Sequence, residues 1–69
     1  MQARLVLLHM GGNAALYAGD LGEAARRYRS QRRLADEVGD DFALGQALRF
    51  EAIVAAETGD VESAWRWAE

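Results

Sequence analysis

Sixty-nine residues hold one small domain at most, and a chain this short buries only a modest share of its surface on folding. Cysteine is absent, which excludes a disulfide framework and thiolate chemistry, and the apolar run Leu5 to Leu8 is far too short for a signal-peptide core or a membrane span. The net charge of -3 argues against a nucleic-acid role for the chain as a whole, and the expectation is a soluble protein of a reducing cytoplasm.

Residues 2–18 contain no proline, and Leu5, Leu8, Ala15 and Leu16 recur with helical spacing, so a first helix is predicted there. Gly11 and Gly12 interrupt the pattern, each at a cost of roughly 0.5–1 kcal/mol relative to alanine. A packing reason is preferred over a break, because Leu8, Gly12 and Ala15 fall on one stripe where a second helix can come close. Gly19 ends the helix in the left-handed conformation. Asp20 then caps a second helix over residues 21–38, with Glu23 three positions on completing a capping-box pattern.

The inner face of this second helix is predicted as Leu21, Ala24, Ala25, Tyr28, Ala35 and Val38. Its outer face carries three i,i+4 charge pairs, Glu23 with Arg27, Arg32 with Asp36 and Arg33 with Glu37. Gly39 closes it, and Asp40 or Asp41 caps a third helix over residues 42–58. There Leu44, Ala47, Leu48, Ala52 and Ala55 share a face, broadened by Phe50, Ile53 and Val54. Gly59-Asp60 repeats the turn, and a short fourth helix from Val61 carries Trp65 and Trp67. Because alanine adds little buried area, the core is expected to lean on Leu8, Leu16, Tyr28, Leu34, Leu48, Phe50, Ile53 and Trp65.

The Gly-Asp turns belong to a longer echo. Displaced by forty residues, the chain pairs Ala3/Ala43, Leu8/Leu48, Ala15/Ala55, Gly19/Gly59, Asp20/Asp60, Ala24/Ala64 and Arg26/Arg66 as identities. A period of this size marks a helix-turn-helix repeat in which each unit buries its apolar face against its neighbours. The units are about 1–40 and 41–69, so the second is cut short at Glu69. Either the chain is a fragment of a longer array, or Trp65 and Trp67 pack against another copy.

The run Asn13 to Ala24 followed by Tyr28 resembles a tetratricopeptide repeat: Gly12, Gly19, Ala24 and Tyr28 match its pattern, as do Leu48, Ala52, Ala55, Gly59, Asp60 and Ala64 in the second unit. The period exceeds the family's usual thirty-four residues and the proline that commonly ends a unit is missing, as in the longer variant found in repeat arms of bacterial transcription regulators. The resemblance implies an all-α fold of two antiparallel helical hairpins stacked as a right-handed superhelix, with the last helix truncated. It also implies a non-catalytic protein-binding role, with no cofactor, no metal and no membrane. An arginine-only, alanine-rich composition is in keeping with a bacterial source. In the family, ligand peptides lie in a groove lined by the first helix of each hairpin. Carried over, that groove is Val6, His9, Asn13 and Tyr17 with Gln46, Arg49, Ile53 and Glu57.

Within that set, His9, Asn13 and Arg49 offer a carboxylate grip through charge-assisted and amide hydrogen bonds, although the lysine and second asparagine of a peptide-carboxylate clamp are missing. Five arginines between Arg26 and Arg33 suggest a phosphate-binding face, but acidic residues one turn away make a solvated outer surface the simpler reading. Gly11-Gly12 follows no strand and lacks the lysine of a phosphate loop. His9 is the only histidine, and Ser30 and Ser63 have no histidine in pattern to act as base. Three readings therefore stand: a scaffold for a protein or peptide, a small self-associating bundle using Trp65 and Trp67, and a nucleic-acid module using Arg26 to Arg33.

Overall fold

A computed structural model describes residues 2–59, which form three α-helices: α1 (Ala3–Tyr17), α2 (Leu21–Val38) and α3 (Asp41–Glu57). No strand occurs among the described residues, and no helix there is long and apolar enough to cross a membrane. The expected fourth helix, with Trp65 and Trp67, lies outside the described residues.

At both junctions between the described helices a Gly-Asp dipeptide stops one helix and starts the next. At Gly19 the backbone turns left-handed (φ +80°), its N–H donates to the Leu16 carbonyl at 3.1 Å, and the Asp20 N–H donates to the Ala15 carbonyl at 2.8 Å. The same aspartate then accepts from the Glu23 N–H at 3.1 Å, capping α2. Gly39 (φ +71°) and Asp40 repeat this: the Asp40 N–H donates to the Ala35 carbonyl at 2.9 Å, while its carboxylate accepts from the Ala43 N–H at 2.9 Å. Asp40, not Asp41, is thus the cap of α3. Nor is the capping box at Asp20 reciprocal, because Glu23 turns outward to Arg26 and Arg27, at 2.5 and 2.9 Å.

α1 runs unbroken through Gly11 and Gly12. The packing reason is Tyr28: a Cβ built at Gly12 would lie 2.5 Å from Cε1 of its ring. Glycine here lets the backbone of α1 rest on an aromatic face.

α2 lies between the other two helices and runs antiparallel to both. Leu5 packs with Ala35 and Ala43 at one end; Ala24, Tyr28 and Val54 cluster toward the other. The buried core of the described residues is Leu5, Ala24, Tyr28, Ala35, Ala43, Ala47 and Val54. Of the expected large core residues among those described, only Tyr28 is fully buried; Trp65 lies outside them. Leu8, Leu16, Leu34, Leu48 and Phe50 are half-buried, and Ile53 and Val38 are exposed. The reason is geometric: small residues in the seams, Gly12, Ala24, Ala35, Ala43 and Ala47, bring the helices together, leaving room inside for few bulky side chains, Leu5, Tyr28 and Gln31.

Candidate interaction surface

The stripe Ala24, Tyr28, Gln31, Ala35 follows the four-three-four spacing of an inner helix face, which carries Gln31 into the middle of the three-helix layer. Its side chain is fully buried and fully bonded. Nε2 donates to the Ala43 carbonyl at 3.0 Å and to Oε1 of Gln46 at 3.3 Å. With both amide hydrogens committed to acceptors, Oε1 can only accept, so Nδ1 of His9, 3.1 Å away, carries the proton of that hydrogen bond. One glutamine on α2 therefore ties α1 to α3.

Aromatic rings close the lower side of this network. The His9 ring stands edge-on to Phe50, with centroids 4.9 Å apart, and Tyr28 packs against Phe50 at 5.3 Å. The Tyr28 hydroxyl donates to Oδ1 of Asn13 at 2.6 Å. Burial pushes the Tyr28 hydroxyl above its ordinary pKa, with a smaller push from Tyr17, so it stays a donor through the neutral range.

Glu51 is the other polar group on an apolar stripe, one turn from Ala47 and Val54. Nε of Arg32 meets its carboxylate at 2.9 Å across the α2–α3 seam. Burial raises the pKa of Glu51, and the positive charges of Arg32 and Arg29 offset that only in part. Arg32, expected to pair with Asp36 on its own helix, makes this ion pair to the neighbouring one. Of the other two expected pairs, Glu23 with Arg27 forms, while Arg33 and Glu37 make no ion pair.

The eight residues of the expected groove divide into two groups. His9, Asn13 and Gln46 lie in the seam, each with a polar atom bound to α2. Val6, Tyr17, Arg49, Ile53 and Glu57 are exposed on α1 and α3, Tyr17 at 91% and Ile53 at 40%. Arg26 and Arg27 share Glu23, and Arg32 holds Glu51, so three of the five clustered arginines are in ion pairs. No group of three or more His, Asp or Glu among the described residues is placed to hold a metal ion. Sequence reasoning missed Gln31 and Glu51. The signal was there, in polar residues that fall on the apolar stripes of α2 and α3.

Comparison of the chain with family models, curated proteins and solved structures finds no match.

Proposed function

We propose that the chain is a pair of tetratricopeptide-like hairpins, stacked in a right-handed array, that acts as a non-catalytic scaffold for a protein or peptide in a cytoplasmic bacterial regulatory system. The observation that carries this reading is the recurrence of one turn. Ala18 (φ -78°, ψ -6°) precedes Gly19 at φ +80°, and forty residues on Thr58 (φ -80°, ψ -6°) precedes Gly59 at φ +84°. Gly39-Asp40 makes the same step midway, and the forty-residue sequence identities group these like helices into hairpins, a repeat in which the first helices, α1 and α3, would lie side by side. Val6 and Tyr17 on α1 and Ile53 on α3 are exposed apolar side chains, and Arg49 and Glu57 on α3 are exposed charged ones, a mixture suited to a peptide with both apolar anchors and charge.

The test is a photo-crosslinking side chain placed at Ile53 and, separately, at Ser30 on the outer side of α2, each in the source cell. The expected result is a discrete protein adduct at position 53 and none at 30, with purified partner binding lost in Arg49→Ala. Equal capture at both positions would remove the groove. Salt-sensitive binding of labelled duplex by the purified chain, abolished when Arg29, Arg32 and Arg33 become glutamine, would replace this reading by the nucleic-acid one.

A further inference from the structure

The buried amide of Gln31 also fixes how its neighbours meet water. The Ala43 carbonyl can only accept, so the Gln31 atom beside it is Nε2, and the polarity of every group joined to that amide follows. Nε2 also donates to Oε1 of Gln46, which leaves the Gln46 amide nitrogen uncommitted. Oε1 accepts from Nδ1 of His9, so in the neutral imidazole Nε2 carries a bare lone pair. One turn on along α1, Oδ1 of Asn13 accepts from the Tyr28 hydroxyl and leaves that amide nitrogen uncommitted too.

These three nitrogens have no partner among the described residues, where no buried side-chain nitrogen or oxygen goes without one, so all three reach solvent. A lone pair at His9 therefore stands between two donors, since Gln46 shares the Gln31 amide with it and Asn13 lies one turn away. Ligand groups answer this pattern differently. A carboxylate has only acceptors: it would satisfy the two amides but set its own lone pairs against that of His9. The carboxylate grip expected of His9, Asn13 and Arg49 thus loses its histidine. One edge of an extended peptide alternates C=O with N–H, which supplies acceptors for the amides and a donor for the imidazole between them.

We infer that this row binds the backbone of an internal, extended peptide segment, which donates one peptide N–H to Nε2 of His9. Gln31 is the positioning residue: by holding the imidazole proton on Nδ1 it selects N–H over carboxylate. The inference rests on the reading of the α1 and α3 surface as a peptide site and adds which chemical group that site takes.

The first test needs no ligand. In the isotope-labelled chain at mildly alkaline pH, the imidazole nitrogen spectrum should place the His9 proton on Nδ1, and Gln31→Leu should lose that preference; a proton on Nε2 in the wild type would overturn the inference. For the second, random peptides displayed between fixed flanks, hence without a free carboxylate, are selected on the purified chain. Those that crosslink at position 53 are remade with each backbone amide in turn replaced by an ester. Adding the parent peptide should move the Nε2 resonance of His9, and one ester position should weaken binding about tenfold, the loss of one hydrogen bond. That effect should vanish in His9→Phe, which keeps a ring against Phe50 and removes the lone pair. Binders indifferent to every ester, an ester effect that persists in His9→Phe, or success only with peptides displayed by a free C-terminus would overturn the inference and leave the peptide site standing. No binder at position 53 in either format would overturn both.

Discussion

The seam between α1 and α2 and the seam between α2 and α3 open from the same Gly-Asp step, yet they hold their register by different means. The first is set by shape at its centre, where Gly12 removes a side chain so that the ring of Tyr28 can lie on the backbone of α1, with the hydrogen bonds of Tyr28 to Asn13 and of His9 to Gln31 beside it. The second is set by bonding, through Gln31 to Ala43 and Gln46, and Arg32 to Glu51. A close-packed seam is intolerant of added volume. A bonded seam tolerates volume better but answers to the loss of a donor or the titration of an acid.

The largest effect is expected where the first seam is overfilled. Gly12→Ala should gain roughly 0.5–1 kcal/mol of helix propensity, and lose about 3 kcal/mol to overpacking, the upper end of the usual range, because three ring atoms of Tyr28 would lie within 3.0 Å of the new Cβ. The ring cannot give way, because its hydroxyl is held by Asn13 and its face by Phe50. At about 4–8 °C per kcal/mol for a domain of this size, the thermal midpoint by circular dichroism should fall measurably. An unchanged midpoint would mean that the close approach is not what fixes the register. In the second seam, Gln31→Leu keeps the volume and removes the bonds to His9, Ala43 and Gln46. A loss of about 1–2 kcal/mol is expected in urea unfolding, smaller than for Gly12→Ala because Gln46 and His9 are only half-buried and can turn toward water. If this variant proves the more damaging of the two, the ranking of the seams is reversed.

Gly11 supplies the control on shape, one residue away and opposite in sign. A Cβ there meets Nη1 of Arg27 at 2.9 Å, but that is the far end of a flexible, half-exposed side chain that can move aside. Gly11→Ala should therefore stabilise by about 0.5–1 kcal/mol, raising the same midpoint that Gly12→Ala lowers.

The difference between the two glycines also marks how far the sequence could be read. Helix ends were legible because Gly-Asp is local chemistry, with a left-handed residue followed by a capping carboxylate, and α2 falls on residues 21–38 as expected. The stripe through Gly12 was legible for a similar reason, since a glycine pair inside a helix asks for a close neighbour. The core was less so. Expectation ranked residues by size, whereas alanine at the seam centres decides which side chains reach the interior, so Leu5 and Ala43 are buried and Ile53 is not. Of the expected groove, the exposed members followed from helical register. That His9 and Gln46 would be engaged by α2 depended on Gln31, and that Asn13 would be depended on the Tyr28 hydroxyl; these bonds span separate helices and leave no trace at short range in the chain.

The smallest effect, and the one that separates bonding from shape most cleanly, concerns Glu51. Burial raises its folded pKa above the ordinary carboxylate value, so the folded state retains the proton where the unfolded chain has released it. Stability from this group is therefore present at low pH and declines as pH rises through the window between the two values, then levels off. Glu51→Gln keeps the shape and removes the titration. The stability of the wild type relative to this variant should fall as pH rises from about 4.5, measured by urea unfolding at a series of pH values. Glu23 has arginine partners too, but its pKa is lowered by its hydrogen bonds to Arg26 and then Arg27, so its contribution runs the other way, present at neutral pH and lost on acidification. Opposite slopes for Glu51→Gln and Glu23→Gln would locate the difference in burial, since both carboxylates face arginine. Parallel slopes would mean that Arg32 outweighs the cost of burying Glu51, and that the second seam is held by charge as well as by the amide network.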